Sequence, residues 1–162
     1  MEFIKFKYFG LIVWACLRKW FIVNPFLLYS QAYHETGNFK SKICKENLNL
    51  FGMKMRTGSR PTTGLGVKNG HAYYNSFYDS VVDYIYRQKN FNIKPQFSNN
   101  EKYIFDTVNS NYAEDPQYLT KWTTLNNKIQ DKNMYLVILL AVIPFASLFF
   151  TGFFIYKRYF QW

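Results

Sequence analysis

The sequence predicts a mostly helical α+β domain with a small β-hairpin lobe, followed by one C-terminal transmembrane helix. Three observations predict it. Apolar residues recur at helical spacing behind recognisable caps in several segments. One Asn-Gly pair, Asn69-Gly70, sits between two short strand-like runs. Near the C-terminus, 23 consecutive residues, 134–156, carry no charge, enough for a helix about 35 Å long across a bilayer core of about 30 Å.

Taken in order, the first segment is apolar from Tyr8 to Leu17 and flanked by Lys5, Lys7, Arg18 and Lys19. Ten residues cannot span a membrane, and no small-x-small cleavage site follows. It reads as the first, largely buried helix of the domain, with Cys16 as a small buried side chain. Asn24 is a good N-cap and Pro25 a good first helical residue, since its missing N–H would be unsatisfied there anyway. Gly37 is placed to end that helix. Glu35 then falls in the last turn, where the helix dipole disfavours a negative charge and favours a protonated carboxyl.

From Phe51 the chain turns glycine- and threonine-rich, and Asn69-Gly70 joins runs 62–68 and 71–75 as a type I′ hairpin. Ser76-x-x-Asp79 opens a helix to about Gln88. Ser98-x-x-Glu101 is a capping box for another. Asp115-Pro116 caps a third, whose Leu119, Trp122, Leu125 and Ile129 recur at helical spacing. Residues 130–133 read as a polar link to the transmembrane helix. Tyr135 on one side and Tyr156, Tyr159, Phe160 and Trp162 on the other suit interfacial anchoring, with 157–162 as a basic and aromatic tail. The expected organisation is a domain over 1–129, a linker over 130–133, the span over 134–156 and the tail, in contact with lipid through 134–156.

Composition narrows the function. The 162 residues are 49% hydrophobic, with 17 Phe and 14 Tyr, which excludes a disordered chain. A net charge of +10 favours anionic partners. The basic residues are scattered without a run of four or a DNA-reading motif, so nucleic acid is not an expected partner. Cys16 and Cys44 form no CxxC pattern. With two histidines, His34 and His71, metal chemistry has few options. His34-Glu35-Thr36-Gly37-Asn38 places Asn38 where a zinc protease helix needs its second ligand, and one imidazole does not hold a catalytic zinc. No metal and no cofactor are expected.

Glycoside hydrolysis remains, which needs a carboxylic acid to protonate the leaving oxygen and a means of meeting the oxocarbenium-like centre. Asn24-Pro25 through Gln31-Ala32-Tyr33-His34-Glu35-Thr36-Gly37-Asn38-Phe39 resembles the "NP…QAxxETGxF" stretch of the family 73 glucosaminidases. Asn47-Leu48-Asn49-Leu50-Phe51-Gly52-Met53-Lys54 is similar to that family's "NNLFGMK", and Tyr112-Ala113-x-Asp115-Pro116-x-Tyr118 to its closing "YAxDPxY". Arg60-Pro61-Thr62-Thr63, Ala72-x-Tyr74 and Ser80-Val81-Val82-Asp83-Tyr84 continue in family order, so the resemblance covers about residues 20–129.

The resemblance implies a lysozyme-like fold with a substrate groove between the helices and the hairpin lobe. It implies Glu35 as general acid and Asn49, Phe51, Gly52 and Tyr112 as substrate-binding residues, with Phe51 equally suited to core packing. Tyr74, Tyr84 and Tyr118 read as structural. Leu48 replaces the first of the family's paired asparagines. Residues 55–78 contain no Asp or Glu, where the family often has a second carboxylate. Three outcomes stay open there: Asp79 or Asp83 reaches the site, the substrate's own N-acetyl group acts as nucleophile, or a sugar hydroxyl attacks internally, as in lytic transglycosylases.

The expected activity is an endo-β-N-acetylglucosaminidase that cleaves β-1,4 bonds of peptidoglycan glycan strands. The expected setting is a bacterial envelope or the internal membrane of a bacteriophage virion, held there by the C-terminal helix. The alternatives are a lytic transglycosylase on the same fold and a non-catalytic wall-binding virion or envelope protein.

Overall fold

The computed structural model of the protein describes residues 5–133. They form α1 (Phe6–Arg18), α2 (Pro25–Glu35), α3 (Lys42–Asn47), β1 (Gly66–Lys68), β2 (His71–Tyr73), α4 (Phe77–Asn90), α5 (Asn100–Asn109) and α6 (Tyr118–Lys132). The helical domain with one hairpin is as expected, but the fold class is corrected in its membrane part. Among the described residues no helix is long and apolar enough to cross a membrane. The longest, α6, has 15 residues, about 22 Å of helix against a bilayer core of about 30 Å. The expected span at 134–156 lies outside the described residues. The membrane-anchored localisation, which rested on that span alone, is withdrawn with it.

Helix α2 is the centre of the packing. Asn24 caps it by accepting from Phe26 N at 3.0 Å, and Pro25 opens it. All residues from Phe26 to Ala32 are buried, polar Ser30 and Gln31 included. Burying Ser30 is tolerated because its hydroxyl donates to Leu27 O at 2.8 Å and accepts from the Trp122 indole N–H of α6 at 3.0 Å. Helices α1 and α6 pack against α2, α4 against α1, and α5 against α6.

Helix α1 buries Phe9, Ile12, Ala15 and Cys16 but leaves Phe6, Trp14 and Leu17 in water. It is therefore half-buried rather than largely buried. The short helix α3 had no clear sequence signal. It is capped by the Ser41 hydroxyl, which accepts from Cys44 N at 3.1 Å, and it stops at Leu48 in the left-handed region. Asparagine adopts that conformation at less cost than leucine, which gives the Asn-to-Leu departure at this position a physical meaning.

The hairpin pairs Gly66 with Tyr73, Val67 with Ala72 and Lys68 with His71. Asn69 and Gly70 both have positive φ, 53° and 74°, as a type I′ turn requires. Ser76 caps α4, accepting from Asp79 N. Two starts are displaced from their sequence signals. Asn99, not Ser98, caps α5 by accepting from Lys102 N. Asp115 accepts from Gln117 N and forms a turn ahead of α6, which begins at Tyr118. Helix α6 runs on through Lys132, across most of the residues read as a link.

Candidate active site

Glu35 is the last residue of α2, and the chain leaves it through Gly37, Asn38 and Phe39, all with positive φ. This tight exit places the carboxyl at the end of the buried helix rather than along a solvated face. The Tyr118 hydroxyl, from the first turn of α6, donates to Oε1. On the other side lies Gly52 at φ +60°, where a Cβ would stand 3.0 Å from Oε2. No cation pairs with Glu35 among the described residues. Burial pushes its pKa up from 4.5 to about 7, against the Tyr118 hydrogen bond, which acts to lower it. The direction matches the sequence argument. Desolvation is the largest cause, and the position of Glu35 at the helix C-terminus acts in the same direction.

The turn that brings Gly52 to Glu35 is built by Asn49. This side chain is fully buried; its amide donates to Met53 O at 2.8 Å and Ala72 O at 2.9 Å. Its carbonyl accepts from Phe51 N and Met53 N. The Phe51 ring is buried and stacked on Tyr84 at 4.2 Å, and its backbone carbonyl accepts from the Tyr112 hydroxyl at 2.6 Å. Glu35, Phe51, Gly52 and Tyr112 thus line one cleft of about 700 Å³, inside the range of small-ligand sites, about 300–1,000 Å³. Asn49 does not line it. Its place is underneath, bracing the turn.

The opposite parts of the cleft come from the 54–60 loop, from Arg87 and Phe91 of the α4 end, and from Glu114. Neither carboxylate offered from the sequence as a second acid is free. Asp83 is 1% exposed and accepts from Arg60 at 2.8 Å and from the Tyr74 hydroxyl at 2.9 Å. Asp79 accepts from Ser76 in the α4 cap. Two features of the site were not read from the sequence. Tyr118, taken as structural, touches the carboxyl, a role its place in the "YAxDPxY" motif could have suggested. Glu114, one residue before Asp115, carries no motif signal of its own. Among the described residues no group of three or more His, Cys, Asp and Glu could hold a metal ion.

Comparison with known proteins follows the same line. The family whose profile matches residues 16–131 is described as glucosaminidase, mannosyl-glycoprotein endo-beta-N-acetylglucosaminidase. The chain belongs to the glucosaminidase family. The glycosidase expected from the motifs is borne out at that level. No curated protein matches the chain significantly. Among solved structures, the glycoside hydrolase domain of FlgJ from Salmonella typhimurium is 21% identical with TM-score 0.54, covering 85% of this chain and 91% of that one. A peptidoglycan hydrolase from Sphingomonas sp. A1 is 20% identical with TM-score 0.56, covering 78% and 89%. The catalytic domain of the autolysin Auto from Listeria monocytogenes is 19% identical with TM-score 0.51, covering 80% and 88%. At these identities the structures show the shared fold alone.

Proposed function

We propose that this glucosaminidase-family protein cleaves β-1,4 glycosidic bonds of peptidoglycan glycan strands as an endo-β-N-acetylglucosaminidase, with Glu35 as its general acid. The observation that carries the reading is the state of Glu35: at the cleft, without an ion pair to any described residue, and with its pKa raised by burial to about 7. A carboxyl in that state keeps its proton under conditions where exposed carboxylates have lost theirs. It can therefore hand the proton to the departing glycosidic oxygen and, as a carboxylate, take one back from water. Tyr118 orients the group from one side. The bare backbone of Gly52 leaves room for Oε2 on the other. Support for the substrate comes from the family and from the FlgJ, Sphingomonas and Listeria structures that share the fold.

One essential carboxylate suffices in this scheme. Asp83 and Asp79 are committed elsewhere. Glu114 lines the cleft, exposed, and is assigned no step in this scheme. The positive centre is then met by the substrate: its acetamido carbonyl oxygen bonds to the anomeric carbon as the leaving oxygen takes the Glu35 proton, and water reopens the ring formed. A scheme with one essential carboxylate also admits one competing reading, internal attack by a sugar hydroxyl. Local wall opening during bacteriophage infection or release is the setting proposed for this activity. Finding the chain in purified particles would support that setting.

Digestion of purified peptidoglycan, followed by mass spectrometry of the ends, tests the reading. New N-acetylglucosamine reducing ends are expected from the wild type and none from Glu35→Gln. 1,6-Anhydromuramic ends would replace the hydrolase with a transglycosylase. No release by the folded wild type would leave only wall binding.

A further inference from the structure

The charge lining the cleft is unbalanced, and its four cations are not equivalent. Lys54, Arg56, Arg60 and Arg87 face two acids, Glu35 and Glu114. Arg60 is committed to Asp83. Arg87 lies 4.5 Å from the centre of the Phe91 ring and 4.6 Å from that of Tyr112, and donates to Gln88, Ser110 O and Ser110 Oγ. It is a strut. Lys54 and Arg56 remain, and neither makes an ion pair with another described residue. Arg56 is half-buried, and its Nη1 is withdrawn from water with no hydrogen-bond partner. A guanidinium short of partners and without a counter-charge beside the cleft is costly, and an anionic ligand meeting the part of the fork that lines the cleft would offset that cost. Glu35, largely protonated below about pH 7, does little to offset the positive charge.

Resting on the peptidoglycan reading above, we propose that Arg56, assisted by Lys54, is an anion subsite that engages a carboxylate carried by the muramic residues of the strand. The guanidinium fork suits a carboxylate, which it can meet with two parallel hydrogen bonds, while Lys54 at the exposed rim adds attraction without geometry. Two carboxylates fit this chemistry: the free lactyl group of an unsubstituted muramic acid, and those of an attached stem peptide. A β-1,4 N-acetylglucosamine polymer has neither, so the subsite makes the protein prefer muramoyl-containing strands to chitin-type ones.

The test is binding to the full-length Glu35→Gln protein, which does not depend on turnover. Three length-matched probes are compared by calorimetry: chitooligosaccharide, amidase-stripped glycan with free lactyl carboxylates, and glycan bearing stem peptides. One or both charged strands are expected to bind about tenfold more tightly than chitooligosaccharide. Adding Arg56→Gln should cut that advantage to less than about twofold, while adding Lys54→Gln should cut it less. The charged strand that loses more identifies the carboxylate. An advantage undiminished in a folded Arg56→Gln protein, or no preference for charged strands at all, overturns the proposal. Should Arg56→Gln not fold, Arg56→Lys replaces it, and an advantage undiminished by loss of the guanidinium fork overturns the proposal instead. Cleavage by the wild type is read separately: charge-dependent binding without cleavage would remove the catalytic reading and keep the subsite.

Discussion

Glu35 and Asp83 are both carboxyl groups drawn out of bulk water, and the protein treats them in opposite ways. Around Asp83 the chain supplies an Arg60 guanidinium at 2.8 Å and a tyrosine hydroxyl at 2.9 Å. The result is a brace between the 54–60 loop and α4. Around Glu35 it supplies one phenol, a glycine and, among the described residues, no ion-pairing cation. The ion pair lets a carboxylate stay buried as a fixed part of the structure. The missing cation makes ionisation costly, so the proton stays until the pH nears 7. Burial alone does not make an acid; burial without a counter-charge does.

The comparison is sharpened most by Glu35→Gln. It should lower kcat by about a thousandfold, the middle of the range a positioned acid contributes. It should also change stability with a definite sign. Because the folded-state pKa is raised from 4.5 to about 7, the unionised group costs nothing below the unfolded value, and stability is lost as pH rises through about 7. Discounted for partial exposure, the loss is on the order of 2 kcal/mol. Urea unfolding should therefore find the variant equal to wild type at pH 4 and more stable at pH 8. Parallel wild-type and variant curves across that range would show that burial is not what holds the proton.

Asp83→Asn should do the reverse. Leaving Arg60 buried and unpaired costs about 3 kcal/mol in urea unfolding, while the folded fraction keeps kcat within a few-fold. A loss as deep as that of Glu35→Gln in the folded protein would make Asp83 a second essential acid. Gly52→Ala comes next. Its Cβ meets Glu35 Oε2 at 3.0 Å on a backbone of positive φ, so about 1 kcal/mol of stability and about tenfold in kcat are expected to go. Tyr118→Phe is the mildest. It removes the hydrogen bond that lowers the Glu35 pKa, so the alkaline limb of the pH–rate profile should move upward from about 7, with kcat at pH 6 changed by less than about threefold. A downward move would show that Tyr118 does not act on the carboxylate form.

Much of the scaffold was legible because its signals are short-range. Asn24-Pro25 and Gly37 bound α2, and Asn69-Gly70 marks the hairpin. The failures are also local in origin. At the start of α5 two capping residues stand side by side, and Asn99 wins over Ser98. Helix α3 is six residues long, too short for a 3.6-residue period to show. In the site, motif order picked out Glu35, Gly52 and Tyr112 as neighbours, while Asn49, expected against the substrate, is fully buried beneath the turn it braces. Phe51 reaches the cleft through a turn whose ring faces the core.

By itself the sequence determined the family, the helical class, the hairpin and the identity of the candidate acid, because caps, turn residues and motif spacing act over a few neighbouring residues. Only the tertiary structure decided how each carboxyl group behaves. Tyr118 meets Glu35 across 83 residues of chain, and Arg60 meets Asp83 from another element. Desolvation exists only after those elements have packed and expelled water, so no local pattern can encode which acid keeps its proton and which is neutralised by a partner.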